Sequence, residues 1–368
     1  MRLAVRAGIG LIGRDLEVKP RLCIWIRDGV IESIEHNTCP QSSIGGDNIA
    51  LTPQPANAHV HSADHLFPEY GIENRLEELV KPPYGLKHRL LSKASRGELV
   101  EATLRYYRLS WGMGIGLLVD FREMGGFGCT TAKEALKKAP PGIEVLVLGR
   151  PGVEWPRGCD GLGLSSTLDY NPDMLKALVS THRPAMVHIA ETYESRLQGD
   201  FEYSIEHGFD GIIHGVFLSR EDLAMARDRG MGLVLCIRSN LWHGIGIPPI
   251  KEAFEEDLTM GLGTDNASWM PPNIWEEARA LLYLSRLVGI RDPGRKILRM
   301  LFLEGYKIPG QEPRVVEEGE KAHMLLFRAD NLQYTSDTRM EYWFIKRLGA
   351  ENIIARIDIK HLSWLGFS

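Results

Sequence analysis

The chain has 368 residues, 44% hydrophobic and 25% charged, the balance of an ordinary globular protein with enough apolar content for a large core and not that of a disordered one. A formal charge of -5 and the lack of any Lys/Arg-rich run exclude the electrostatic footprint of a nucleic-acid binder and leave a small molecule as the expected partner. No stretch approaches the roughly 18 apolar residues of a membrane span, and residues 1–8 lack the apolar run of a signal peptide, so neither embedding nor export is expected.

Residues 1–51 read as short strands and turns, with apolar runs at 22–26 and 30–34 flanking Arg27-Asp28-Gly29, a hairpin signal. From Leu51 to about Pro309 apolar runs alternate with helical segments, the signature of repeated β-α units. Eight candidate strands end near His61, Phe121, Leu148, Leu164, His188, His214, Cys236 and Asp265, and eight is the number that closes a barrel. Ser95, Ser219 and Asn273 each stand three residues before an acid, marking helix starts, and 275–287 is apolar at helical spacing, as a helix on the outer wall would be.

The Gly-rich segment 124–131 lacks the Gly-Lys-Ser/Thr of a phosphate loop and reads as a strand-to-helix turn before a helix at 132–138. Strand patterns return after Pro309, at 322–327 and 353–359. The expected architecture is α/β: a (β/α)8 TIM barrel over residues 52–309, with a small discontinuous β-sandwich domain formed by 1–51 and 310–368. Five cysteines, Cys23, Cys39, Cys129, Cys159 and Cys236, stand apart without a CxxC pair; the odd count argues against a closed disulfide framework and for a reducing cytoplasm.

Polar residues at barrel strand ends face the carboxyl-terminal mouth, where chemistry is found in this architecture. His59 and His61, two apart on a strand, project together and can share one metal, while His188, His214 and Asp265 end three further strands. Imidazoles with a carboxylate suit zinc or ferrous iron, and a site with positions open to water is catalytic. A metal that brings the pKa of water down to roughly 7 makes hydrolysis the natural chemistry.

Five segments occur in order across almost the whole chain: Pro55-Ala56-Asn57-Ala58-His59-Val60-His61, Val187-His188-Ile189-Ala190-Glu191-Thr192, Ile213-His214-Gly215, Ser239-Asn240-Leu241 and Gly263-Thr264-Asp265. Together they resemble the amidohydrolase superfamily, in its cytosine, guanine and adenosylhomocysteine deaminase-like branch. The resemblance implies that His59, His61, His188 and Asp265 ligate one divalent metal, Zn2+ or Fe2+. It also implies that Glu191 is the proton shuttle, that His214 contacts the attacking water or the substrate, and that Asp265 takes a proton during attack. Binuclear members carry a carboxylated lysine on the fourth strand; neither 145–148 nor 162–165 offers a lysine, so a single metal is expected, on the deaminase side.

Where some members read Asn-Pro-x-Ser-Asn or Cys-Pro-x-Ser-Asn on the seventh strand, this chain reads Cys236-Ile237-Arg238-Ser239-Asn240, which puts an arginine near the mouth. With Lys87, His88, Arg122, Arg150 and Asn240, Arg238 forms the expected substrate-binding set, and arginine forks suit a carboxylate or phosphate on the substrate. The competing reading pairs these arginines with Glu123, Asp160 or Glu69 as salt bridges. Phe67, Tyr70, Trp155, Trp242, His243 and Trp269 either stack on a planar heterocycle or pack loops, and His65 reads as a loop or pocket residue outside the ligand set.

The reaction expected is C–N bond hydrolysis, foremost deamination of a small heterocycle with loss of ammonia. Imidazolonepropionase-like ring opening and formimino-acid deimination are the alternatives. A non-catalytic binding barrel would be expected to have lost a ligand or the shuttle. Homo-oligomerisation is left open.

Overall fold

The computed structural model describes residues 2–151, 157–330, 339–359 and 361–365. Its strands run, in chain order, β1 (Arg2–Ile12), β2 (Glu17–Arg27), β3 (Val30–His36), β4 (Ile44–Pro53), β5 (Ala56–His61), β6 (Leu117–Arg122), β7 (Glu144–Gly149) and β8 (Gly161–Leu164). They continue with β9 (Ala185–Ile189), β10 (Gly211–His214), β11 (Gly232–Leu235), β12 (Met260–Leu262), β13 (Asp265–Asn266), β14 (His323–Arg328), β15 (Ile353–Asp358) and β16 (His361–Trp364).

Asp28 (φ 53°) and Gly29 (φ 87°) both take positive φ, the two-residue turn whose twist matches antiparallel strands, and Arg27 pairs with Val30 across it. β1 to β4 join β14 to β16 in one seven-stranded sheet, order β16-β15-β14-β4-β1-β2-β3, so both termini share a sheet. One face of it buries Val5, Leu22, Ile24, Leu51, Met324, Leu326 and Ile357.

β5 to β12 form a parallel sheet in chain order, each strand beside the next. Two residues past β12, the short β13 pairs with Val60 and His61 of β5, so the curled sheet returns to its first strand, in the TIM-like manner. All eight strands read from the sequence are present. The interior packs Ala56, Ala58, Leu117, Val119, Met186, Ile213 and Val234, with Tyr306 and Ile308 buried among them. The register of β5 on β6 slips between Asn57 and Val60, a bulge that re-aims the strand end carrying both histidines.

Ser95 and Ser219 cap the helices Arg96–Gly112 and Arg220–Asp228 with reciprocal capping boxes to Glu98 and Asp222. Asn273 precedes the helix Ile274–Leu287, but its side chain caps nothing; its carbonyl accepts from Arg238 Nη2 at 3.2 Å, while the Glu276 carboxylate pairs with the same arginine. That helix buries Trp275, Ala278, Leu281 and Leu282 against the sheet. The helix expected at 132–138 begins earlier, as Gly125–Leu136, because Met124 takes a left-handed conformation (φ 64°) that turns the chain directly into it.

Cys23 is joined to Cys39 and Cys129 to Cys159, leaving Cys236 free and buried. This corrects the expectation drawn from the odd count, which rules out only complete pairing. The β2–β3 hairpin and the connection from the Gly125–Leu136 helix to β8 bring the partners together, and the argument for a reducing cytoplasm loses the support of that count. Among the described residues no helix is long and apolar enough to cross a membrane.

Candidate metal centre

Four side chains from the ends of β5 and β9 and from β13 converge at the carboxyl ends of the parallel strands. Ligand atoms of His59, His61, His188 and Asp265 all lie within 4.8 Å of one another, and all four residues are buried. His59 Nε2 is 3.2 Å from Asp265 Oδ1, His61 Nε2 is 3.6 Å from the same oxygen, and the Nε2 atoms of His61 and His188 are 3.4 Å apart.

Local sequence builds this cluster. Asn57 donates to Thr264 Oγ1 at 2.8 Å and accepts from the Thr264 amide at 3.0 Å, which locks the start of β5 to the residue before Asp265. At Gly263 a Cβ would lie 2.8 Å from His59 Cβ, so glycine lets the two segments touch. Asp265 (φ 61°) and His214 (φ 70°) both hold left-handed backbone, strain of the kind concentrated at working sites. Ser239 donates to Asp265 Oδ2, leaving Oδ1 to face the imidazoles.

Proton bookkeeping tests whether a cation fits. His188 Nδ1 donates to the Leu164 carbonyl at 2.7 Å, so its Nε2 carries a bare lone pair. His61 Nδ1 lies 3.0 Å from Glu123 Oε1, close enough for the carboxylate to keep the ring proton there although the N–H is not aligned on it. Two bare nitrogens and a carboxylate oxygen then face one another in a buried space, an arrangement that a divalent cation completes. Burial pushes His59 down to about 3 against the opposing pull of Asp265, and burial with the neighbouring imidazoles keeps His188 well below its usual range. Both rings are therefore neutral, as ligands must be. Burial opposes charge on Asp265 too, but the hydrogen bond from His59 and the surrounding imidazoles hold it well below the usual carboxylate range.

His214 Nδ1 faces Asn240 Oδ1 at 2.8 Å, and its Nε2 lies 3.5 Å from Glu191 Oε1. Burial raises the Glu191 pKa. A second grouping of ligand atoms, His59, His214 and Cys236, shares His59, but burial pushes the Cys236 thiol far up and keeps it protonated.

A cavity of about 530 Å³ opens over the cluster, the size of a small-molecule site, and is lined by His61, His188, Glu191, His214 and Asp265. The residues expected to bind substrate fall into two groups. Lys87, His88 and Arg150 line the cavity: Lys87 Nζ sits 2.8 Å from Asp64 Oδ2 and 2.5 Å from Glu123 Oε1, His88 Nε2 faces the Val80 carbonyl, and Arg150 donates to Ser165 Oγ.

Arg122 also reaches the wall, but each guanidinium nitrogen is committed to protein: Nε to Gly128, Nη1 to Ser62 and Thr103, Nη2 to Thr131. Arg238 is not part of the lining; it is consumed by Glu276, Glu277 and the carbonyls of Pro271 and Asn273. Asn240 is fully buried behind His214. These placements correct the expectation that Arg122, Arg238 and Asn240 touch substrate, because acceptors of the same chain fill both forks.

Trp269 and His243 line the cavity, their rings 4.8 Å apart edge to face, with Tyr70 tilted against Trp269. Trp242 is half exposed beside an adjoining groove, Phe67 packs with Leu91 and Leu99, and His65 lies 5.7 Å from the Tyr106 ring. Trp155 lies outside the described residues. Sequence reasoning missed Asp64 and the role of Glu123. The adjacency of Glu123 to Arg122 at a strand end was the available signal.

The model of the Amidohydrolase family matches residues 51–327, and the chain belongs to that family. It is 30% identical over 358 residues to an uncharacterized protein of Methanocaldococcus jannaschii, covering 87% of this chain and 89% of that one. It is 34% identical over 334 residues to a 5-methylthioadenosine/S-adenosylhomocysteine deaminase of Dictyoglomus thermophilum, covering 77% and 74%. Its fold is similar to that of an adenosine deaminase from Xanthomonas campestris with bound zinc, at a TM-score of 0.76 and 14% identity over 98% of this chain and 92% of that one. This chain is a hydrolase acting on C–N bonds, with a histidine and carboxylate cluster able to hold a metal.

Proposed function

We propose that the chain deaminates a small heterocycle, with one divalent ion, zinc or iron, held by His59, His61, His188 and Asp265. Residues 52–309 would be the catalytic unit, and 1–51 with 310–368 the second one. The observation that carries the reading is the convergence of those four ligand atoms within 4.8 Å, with Glu191 and His214 lining the same cavity. The similarity to an adenosylhomocysteine deaminase and the zinc in the adenosine deaminase of the same fold support it.

When bound, the ion supplies Lewis acidity and brings the pKa of a water from 15.7 down to about 7. The protein's own groups manage the protons. Asp265 Oδ1, facing the imidazoles while Ser239 occupies Oδ2, would take the proton of the attacking water. Glu191, its pKa raised by burial, is placed to give a proton to the ring nitrogen and regain one from the attacking oxygen, while the proton that Asp265 took from the water goes to the departing amine, which leaves as ammonia. Asn240 keeps the His214 Nδ1 proton in place, so that Nε2 faces Glu191 and the substrate.

The purified protein is expected to carry about one zinc or iron per chain by elemental analysis and to release ammonia from a member of a panel of purines, pyrimidines, pterins and formimino acids. Glu191→Gln should retain the metal while turnover falls by about 10²–10⁴-fold. Near-normal turnover would remove Glu191 from the mechanism, and a hydrolysed product without ammonia would replace deamination by ring opening.

A further inference from the structure

Glu123, one residue past β6, lines the cavity with only 5% of its surface exposed. Its two oxygens differ. Oε1 faces Lys87 Nζ at 2.5 Å and His61 Nδ1 at 3.0 Å, whereas Oε2 has no hydrogen-bond partner among the described residues. A buried carboxylate oxygen without a donor is costly, and because Oε2 itself has almost no exposed surface, a ligand N–H would complete it through a small shift of the cavity wall. Lys87 and His61 hold Oε1, so the group is oriented before the ligand arrives.

The charge of the cavity points the same way. Its lining holds seven carboxyl groups against four lysines and arginines, and Asp64 pairs with Lys87 beside it, so with Glu191 protonated and a divalent ion bound one carboxylate still stands in excess. Of the four cations, Arg122 is wholly committed to protein and Lys87 is held between Asp64 and Glu123. A substrate carboxylate would meet this excess, while a neutral or cationic donor would relieve it.

We propose that Glu123 is a specificity-determining residue whose Oε2 accepts a hydrogen bond from a substrate N–H, so that the site selects neutral or cationic substrates of amidine type and discriminates against carboxylate-bearing ones. The inference rests on the hydrolase reading for the position of the reacting atoms, since Glu123 contacts the ligand residue His61. It replaces the anionic substrate group expected from the strand-end arginines.

The test is calorimetric titration of the full-length, zinc-loaded protein with benzamidinium and with benzoate, a pair of similar shape and opposite charge. Benzamidinium should bind at least about tenfold more tightly than benzoate. In Glu123→Gln, the amide oxygen can still face His61 and Lys87 while an NH2 replaces Oε2; benzamidinium affinity should fall at least about tenfold and benzoate affinity should hold or rise. Glu194→Gln, which removes one exposed lining charge, should change either affinity less than about twofold. Repeating the titrations on zinc-free proteins ensures that metal loss from the variant cannot mimic the result. Equal or tighter benzoate binding, no benzamidinium binding, or an unchanged Glu123→Gln would overturn the proposal. Ammonia release, measured separately, judges the hydrolase reading.

Discussion

Two clusters of buried charge lie at opposite ends of the parallel sheet, and they are finished differently. At the amino ends of the strands, Arg356 of β15 is fully buried, and all its nitrogens find partners: Asp358, Gln54 and the carbonyls of Trp111, Ile115 and Gly142. Gln54 donates in turn to Asp358 Oδ1 and the Ile357 carbonyl. This cluster fastens the seven-stranded sheet to the β-α body and asks for nothing more. At the carboxyl ends, His59 Nδ1, Glu123 Oε2 and Asn240 Nδ2 have no hydrogen-bond partner among the described residues, and bare imidazole nitrogens face each other. Polar groups are equally buried in both, so burial alone does not separate structure from function. The separating feature is whether the protein closes its own hydrogen-bond account.

If that contrast is sound, removing a group from each end has different consequences. His188→Ala should have the largest effect: activity abolished, and metal affinity lowered well beyond the ~100-fold typical of losing a partner outside the ligand set, with the folded state retained by circular dichroism. Tight metal binding by this variant would break the comparison. Arg356→Met should take from Asp358 its nearest cationic partner, leaving Gln54 and His323 in contact with it, and cost about 3 kcal/mol in urea unfolding, with metal content unchanged. A variant as stable as the wild type would show that the amino-end cluster does not hold the sheets together. Ser95→Ala, on an exposed helix start far from either cluster, should cost only about 1 kcal/mol and leave metal and turnover untouched; a larger loss would mean that the capping box does more than end a helix.

Much of the fold was legible because period and punctuation agree locally. Short apolar runs alternated with helical segments and four of them ended in His or Asp, Asp28-Gly29 announced its hairpin, and Ser95 and Ser219 announced their helices. The convergence of His59, His61, His188 and Asp265 was legible for another reason: strand ends in a parallel sheet share one face, so order along the chain predicts proximity. What stayed hidden depends on contacts between distant segments. A strand-end arginine looks the same in sequence whether its fork faces a ligand or, like Arg122, is filled by Ser62, Thr103 and Thr131. The unequal oxygens of Glu123 and the pairing of Cys129 with Cys159 likewise follow from placement and not from spacing.

The pairing of β13 with β5 has a temporal meaning. His59 and Asp265 are 206 positions apart, yet they adjoin because the final segment docks on the first. If these residues hold the proposed ion, a nascent chain with His59 and His61 is an incomplete chelator until synthesis has passed residue 265, and tight capture waits for ring closure. Once captured, such an ion would clasp the seam between the earliest and latest parts of the sheet. At a free concentration a hundred times its dissociation constant, it would add about 2.7 kcal/mol to the folded state.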